Sequence, residues 1–161
     1  MSVPSRRPRQ GRHFDSLEQE VFLNLWRTYD RLRALEEELF GRFGLTPQQY
    51  NALRLLRGHR PEPLPTLTLA ARLVSRAPDI TRLLDKLERR GLISRQRPPE
   101  NRRQVQVAIT EAGLALLAEL DEPVRACHAR QLGHLPAADL NQLISLLHAA
   151  RAPHEDADQR S

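Results

Sequence analysis

Arg102 and Arg103 stand side by side in this chain, with Arg95 and Arg97 a few residues before them. A guanidinium is a planar fork of donors that stays charged and fits phosphate oxygens or the O6/N7 edge of a guanine. Upstream lies a second polar set: Ser75, Arg76, Asp79, Thr81, Arg82 and Lys86. Arg76, Asp79 and Arg82 follow a three-residue step, so a helix would carry them on one side. Arg82 is the best candidate there for a base-edge contact, and Arg76 for a base edge or a phosphate. Asp79 is awkward beside a polyanion. It either accepts from a cytosine amino group or satisfies the start of its helix, and the second use fits better. The chemistry on offer is recognition of a polyanion. Catalysis would need a different set, and the chain carries no Gly-rich phosphate loop, nucleophile elbow, metal-ligand spacing or strongly placed carboxylate pair. No catalytic residue, metal ligand or cofactor is therefore expected.

The charge balance agrees with a polyanionic partner. The 161 residues carry a formal net charge of +5 with a sequence pI near 10.5. Lys86 is the only lysine among the 25 basic residues, the rest being arginine. Genomic base composition also favours arginine codons, so the bias alone decides little. Cys127 is the only cysteine, which excludes an intrachain disulfide and an all-cysteine metal site within one chain. No run approaches the roughly 18 apolar residues that span a bilayer. The basic N-terminus lacks the apolar core of a secretory signal. The cytoplasm is the expected location, and no membrane partner is expected.

These side chains need elements to hold them. Residues 1–13 read as a disordered basic tail; Arg6, Arg7, Arg9 and Arg12 could follow phosphates, although a solvated tail is the simpler reading. A long amphipathic helix is expected over 17–43. Leu17, Val21, Leu25, Leu32, Leu35 and Leu39 recur at three- and four-residue steps, and Phe22, Trp26, Tyr29 and Phe40 widen the stripe. Asp15 or Ser16 can cap it. So wide an apolar face needs more partner surface than one small lobe offers, which implies a dimer. Thr46 and Pro47 open the next helix, which Gly58 ends, and 59–65 with its three prolines reads as a stiff linker. Thr66 or Thr68 then caps a short helix. The basic helix follows over about 76–90, with Pro78 in its first turn, Ile80, Leu83, Leu84 and Leu87 inward, and Gly91 at its end. Strands at 92–97 and 104–109 form a hairpin turned by Pro98, Pro99 and Asn101, with Arg102 and Arg103 at its tip. Thr110 caps another long helix, which Pro123 kinks or ends. A last helix follows Pro136.

Short helix, tight turn, basic helix and arginine-tipped hairpin, in that order, describe a winged helix-turn-helix. The expected class is mainly α with a small β-hairpin wing. Residues 14–45 supply an N-terminal dimerisation helix, 46–110 the DNA-binding domain, 111–152 C-terminal dimerisation helices and 153–161 a polar tail. ITRLLDKLERRGLISR and NRRQVQVAITEAG resemble the recognition helix, wing and following helix of the MarR family of bacterial transcriptional regulators. The resemblance extends over nearly the whole chain. That family usually has Asp-x-Arg before the second wing strand and Leu-Thr-x-x-Gly after it. Here the positions hold Asn101-Arg102-Arg103 and Ile109-Thr110-Glu111-Ala112-Gly113. Arg103 matches the family's wing arginine, and Arg82 a recognition-helix position used for DNA contact. Asn101 offers only neutral hydrogen bonds where the aspartate can pair ionically, and Glu100 is the neighbour placed to compensate.

The resemblance implies a homodimer on a pseudo-palindromic operator in double-stranded DNA, most often a repressor released by a small molecule or oxidant. Members that take phenolic or other aromatic acids hold them between the dimerisation helices and the DNA-binding lobe. By that resemblance Trp26, Tyr29 and Tyr50, with Arg54 or His128 for a carboxylate, are effector-binding candidates, although such aromatics are more often plain core. The family's peroxide sensors carry their cysteine in the first long helix, where this chain has none. Cys127, on an apolar stripe, reads as a small buried hydrophobe. The competing class is a winged-helix module that binds protein. It would tolerate loss of Arg82 and Arg103 and depend weakly on salt, whereas a DNA-binding protein would do the reverse.

Overall fold

Six helices and three short strands make up the described residues, 14–74 and 79–158, of the computed structural model. In chain order they are α1 (Leu17–Arg42), α2 (Pro47–His59), β1 (Leu64–Pro65), α3 (Thr66–Arg72), α4 (Ile80–Arg89), β2 (Ile93–Gln96), β3 (Gln106–Ile109), α5 (Glu111–Leu132) and α6 (Ala137–Asp158). The expectations for the basic tail and for Ser75, Arg76 and Pro78 lie outside the described residues. The chain divides into two compact units, residues 1–34 and 35–161, with the division falling inside α1.

In the first unit the Ser16 hydroxyl accepts the Gln19 N–H at 3.1 Å, and Gln19 Oε1 accepts the Asp15 N–H at 2.7 Å. Ser16 thus supplies the cap and Asp15 its reciprocal partner. Phe22 and Trp26 meet edge to face with ring centres 6.2 Å apart. The apolar stripe read from the sequence is bare here: Leu17, Val21, Phe22, Leu25, Trp26 and Tyr29 are all exposed.

The second unit holds the core. Its most deeply buried large side chains are Leu53 (α2), Leu64 (β1), Leu69 (α3), Leu84 and Leu87 (α4), Val107 (β3), and Leu117 and Leu120 (α5). Six elements supply them, α4 and α5 two each, and each such burial contributes about 1.5–3 kcal/mol. α2 begins with a full capping box, Thr46 Oγ1 accepting from Gln49 N–H and Gln49 Oε1 from Thr46 N–H. It runs past Gly58 to His59, because a glycine ends a helix only where the chain takes up a left-handed turn, as at Gly44 (φ +66°) and Gly91 (φ +69°).

The sheet is antiparallel in the order β1-β3-β2, with Leu64 opposite Val107 and Arg95 opposite that same Val107 on the other side. Strand β1 replaces part of the expected linker. Prolines hide it in the sequence, yet an edge strand tolerates Pro65, whose missing N–H has no ladder partner to lose. Thr66 does not cap α3. Pro65 occupies that position without a side-chain bond, while the Thr66 N–H and hydroxyl both donate to the Val105 carbonyl, at 3.0 and 3.2 Å.

Thr110 joins the hairpin to α5. Its N–H donates to Leu92 O at 3.1 Å and its hydroxyl to Gly91 O at 2.6 Å, and the hydroxyl oxygen accepts the Gly113 N–H at 3.1 Å. Helix α5 passes through Pro123 rather than ending there. Leu117 and Leu120 before the proline and Val124 and Cys127 after it are all buried on one side, and that packing outweighs one lost backbone hydrogen bond. The tail expected from residue 153 is likewise helical to Asp158, with Arg151 Nε donating across Pro153 to Glu155 Oε1 at 2.8 Å. A bidentate Arg57–Asp121 pair, at 3.0 and 3.2 Å, ties α2 to α5. Among the described residues no helix is long and apolar enough to cross a membrane.

Candidate nucleic-acid interface

Asp79 sits just outside α4 with extended backbone (φ −141°, ψ 80°), and its carboxylate accepts the Arg82 N–H at 2.9 Å. It therefore caps the helix, which starts at Ile80 rather than at 76. Of the three-residue line, Arg82 is on the helix and Asp79 is its cap, while Arg76 lies outside the described residues. Leu83, Leu84 and Leu87 fix the buried side. Thr81, Arg82, Lys86 and Arg89 are exposed. Arg82, Lys86 and Arg89, at steps of four and three, form one ridge away from the core. Arg89 escaped the sequence reading, although its seven-residue step from Arg82 signalled it. At the other end of α4, Arg90 donates from its two terminal nitrogens to Gly44 O (2.8 Å) and Phe43 O (3.1 Å), fastening the helix end to the turn after α1.

The wing is built on its own arginines. Arg97 Nη1 donates to the Arg102 carbonyl at 2.8 Å, and the turn closes through Asn101 N–H to Pro98 O (3.1 Å) and Gln104 N–H to Asn101 O (3.2 Å). Among the described residues neither the Asn101 side-chain amide nor the Glu100 carboxylate is placed in a hydrogen bond or ion pair. The turn is held by Arg97 and the backbone, and Glu100 takes no part in it. Arg102 and Arg103 are left exposed at the tip.

Arg95 behaves differently. Its Nε donates to Glu88 Oε2 at 3.0 Å, and its Nη2 to Glu88 Oε1 at 3.1 Å and Asp85 Oδ1 at 2.5 Å, joining β2 to α4. The side chain is only 23% exposed. The hydrogen bond from Arg95 holds the Glu88 carboxyl below the usual range, and that bond in turn pushes the Arg95 guanidinium above its ordinary value.

Between α3, α4 and the wing lies a groove of about 630 Å³. Thr66, Leu67 and Thr68 line one wall, Thr81 and Leu84 contribute from α4, and Arg95, Arg97, Asn101, Arg103 and Gln104 from the wing. Hydroxyls and guanidiniums facing a common trough suit an anionic backbone. Thr66 and Thr68 were read from the sequence only as helix caps, so their place in this wall was missed.

The effector candidates divide between the two units. Trp26 and Tyr29 belong to the first unit, and Tyr50, Arg54 and His128 to the second. Tyr50 is core, stacked on Phe40 with ring centres 4.3 Å apart and with the Arg54 guanidinium 5.9 Å from its own ring centre. Burial pushes its phenol above the usual value. His128 Nδ1 lies 2.8 Å from Gln131 Oε1 on its own helix. Cys127 is a buried free thiol whose desolvation raises its pKa, so thiolate is scarce at neutral pH. Among the described residues no group of three His, Cys, Asp or Glu is placed to hold a metal.

Comparison with known proteins gives the same reading. The MarR family model matches residues 45–105, from the start of α2 into the wing. A MarR transcription factor from Planctomyces limnophilus is 60% identical, with 85% of this chain and 99% of that one covered and a TM-score of 0.68. A probable transcriptional regulator from Pseudomonas aeruginosa is 28% identical over 84% and 99% of the two chains, with a TM-score of 0.73. CouR from Rhodococcus jostii, solved bound to p-coumaroyl-CoA, is 27% identical over 85% and 95%, with a TM-score of 0.70. With majority identity over nearly all of a solved relative, and the family match lying across the helix-turn-helix and wing, the chain belongs to the MarR family of transcription regulators.

Proposed function

We propose that this chain is a cytoplasmic, homodimeric repressor that binds a pseudo-palindromic operator and is released by a small aromatic effector. The observation that carries the DNA reading is the groove that takes Thr81 from α4 and Arg97 and Arg103 from the wing, with Arg82, Lys86 and Arg89 exposed on that same helix and Arg102 on that same wing. The ridge fits a major groove, with Arg82 toward a guanine edge. Arg103 fits the adjacent minor groove, and the phosphate strand between them lies in the trough lined by Thr66, Thr68 and Thr81. Ser75 and Arg76 keep their sequence-based candidacy beside Arg82. The bare apolar face of α1 supports dimerisation, since so many exposed aliphatic and aromatic side chains need a partner surface. Two recognition helices about 34 Å apart would then meet successive major grooves. The aromatic acyl thioester held by CouR supports an aromatic acid or its thioester as effector, with Trp26, Tyr29, Tyr50, Arg54 and His128 as the residues to test.

The deciding experiment is selection of bound duplexes from a random pool at two salt concentrations. Enrichment of an inverted repeat with half-sites about one turn apart is expected. Binding without enrichment that disappears at the higher salt would reduce the claim to phosphate affinity. No binding at either salt would favour a protein-binding winged helix.

A further inference from the structure

Helix α4 carries three cationic side chains, Arg82, Lys86 and Arg89, but also two carboxylates, Asp85 and Glu88. Uncovered, those carboxylates would stand beside DNA phosphates and cancel much of the ridge's attraction. Both are engaged by one residue from another element, Arg95, through three bonds of 2.5 to 3.1 Å. The side chain that does this stands in the middle of the strand leading to the wing tip, opposite the buried Val107. Its Nε and Nη2 are engaged by these carboxylates, although it lines the groove beside the cations that the sequence offers for DNA contact.

We propose that Arg95 is an internal counter-ion: its one positive charge offsets half of the negative charge of Asp85 and Glu88, so that Arg82 and Arg103 meet DNA against less opposing charge. The inference rests on the DNA-binding reading and deepens it, since it removes Arg95 from the set of direct contacts. It also explains how a recognition helix can keep two acidic residues.

The test uses the full chain and a fluorescein-labelled random-sequence duplex, with anisotropy titrations across a salt series. Arg95→Gln is expected to weaken binding by about three- to ten-fold at low salt, the range set by two unscreened carboxylates near phosphates. The triple variant Arg95→Gln/Asp85→Asn/Glu88→Gln is expected to recover wild-type affinity or exceed it. Asp85→Asn/Glu88→Gln with Arg95 intact, which keeps the strand's arginine, is expected to bind more tightly than wild type. Failure of the triple variant to recover, with a salt slope about one phosphate smaller, would make Arg95 a direct phosphate ligand and overturn the proposal. Equal affinity in all four proteins would overturn it too. A wild-type protein that leaves the duplex unbound at low salt would instead remove the DNA reading and this inference with it.

Discussion

Arg82 and Arg103 have the same chemistry but different surroundings, and their substitutions should read differently. Arg82 is exposed on a helix whose start is fixed by Asp79, and the proposed role for it is a base-edge contact. Arg82→Ala is expected to lower discrimination between the selected duplex and a random one by about 1–3 kcal/mol, the worth of a bidentate base contact. Equal losses on both duplexes would show a phosphate contact instead. Arg103 sits at an exposed tip whose backbone is held by Arg97. Arg103→Ala is expected to weaken binding in a gel-shift titration while leaving circular dichroism and the dimer unchanged, and unchanged affinity would count against the wing assignment. Residue types and order single out both arginines as candidates in the sequence, and the structure leaves both exposed. The sequence could not reveal that Arg95 is occupied. Its partners lie seven and ten positions away on a different element, and only the register of β2 on β3, with the packing of α4, brings them together.

At the scale of elements, apolar residues at helical spacing located the long helices, including α6 and the first part of α1, whose stripes the structure leaves uncovered. Ends were less legible. Gly58 was read as a stop, Pro123 as a kink or a stop and Pro153 as the start of a tail, yet the helices run through all three, since propensity is only a local preference. The edge strand β1 was hidden for the opposite reason: two residues between prolines carry no alternation to detect. Gly113 is where two elements are closest. A Cβ there would meet Leu92 O at 2.3 Å and Ile109 Cγ1 at 2.7 Å, so the hairpin lies directly against the first turn of α5. Gly113→Ala is expected to destabilise the fold by about 1–3 kcal/mol in urea unfolding, despite alanine's better helix propensity. A neutral or stabilising result would mean that the wing is not anchored through this contact.

For the molecule as a whole, the six apolar side chains bared along the first unit's stretch of α1 are the largest mismatch between composition and burial. If a second copy covers them, Trp26, which is 63% exposed in the single chain, becomes an interface residue. Trp26→Asp is then expected to cost about 2 kcal/mol or more of dimer stability, roughly a thirty-fold rise in the dissociation constant by sedimentation equilibrium. An unchanged constant would move the interface elsewhere. The sequence foresaw this face but not its partner, since a stripe of apolar residues says that something covers it and not what. A different consequence follows from the chain having one lysine, exposed on the outer ridge of α4. Apart from the chain's α-amino group, an amine-directed reagent has a single target, and that target lies on the surface proposed to enter the major groove. The protein therefore carries its own occupancy probe. The yield of modified Lys86 by mass spectrometry should fall as duplex is added and return when the right effector is supplied, so candidate effectors could be screened on the unaltered chain before any promoter or reporter is known.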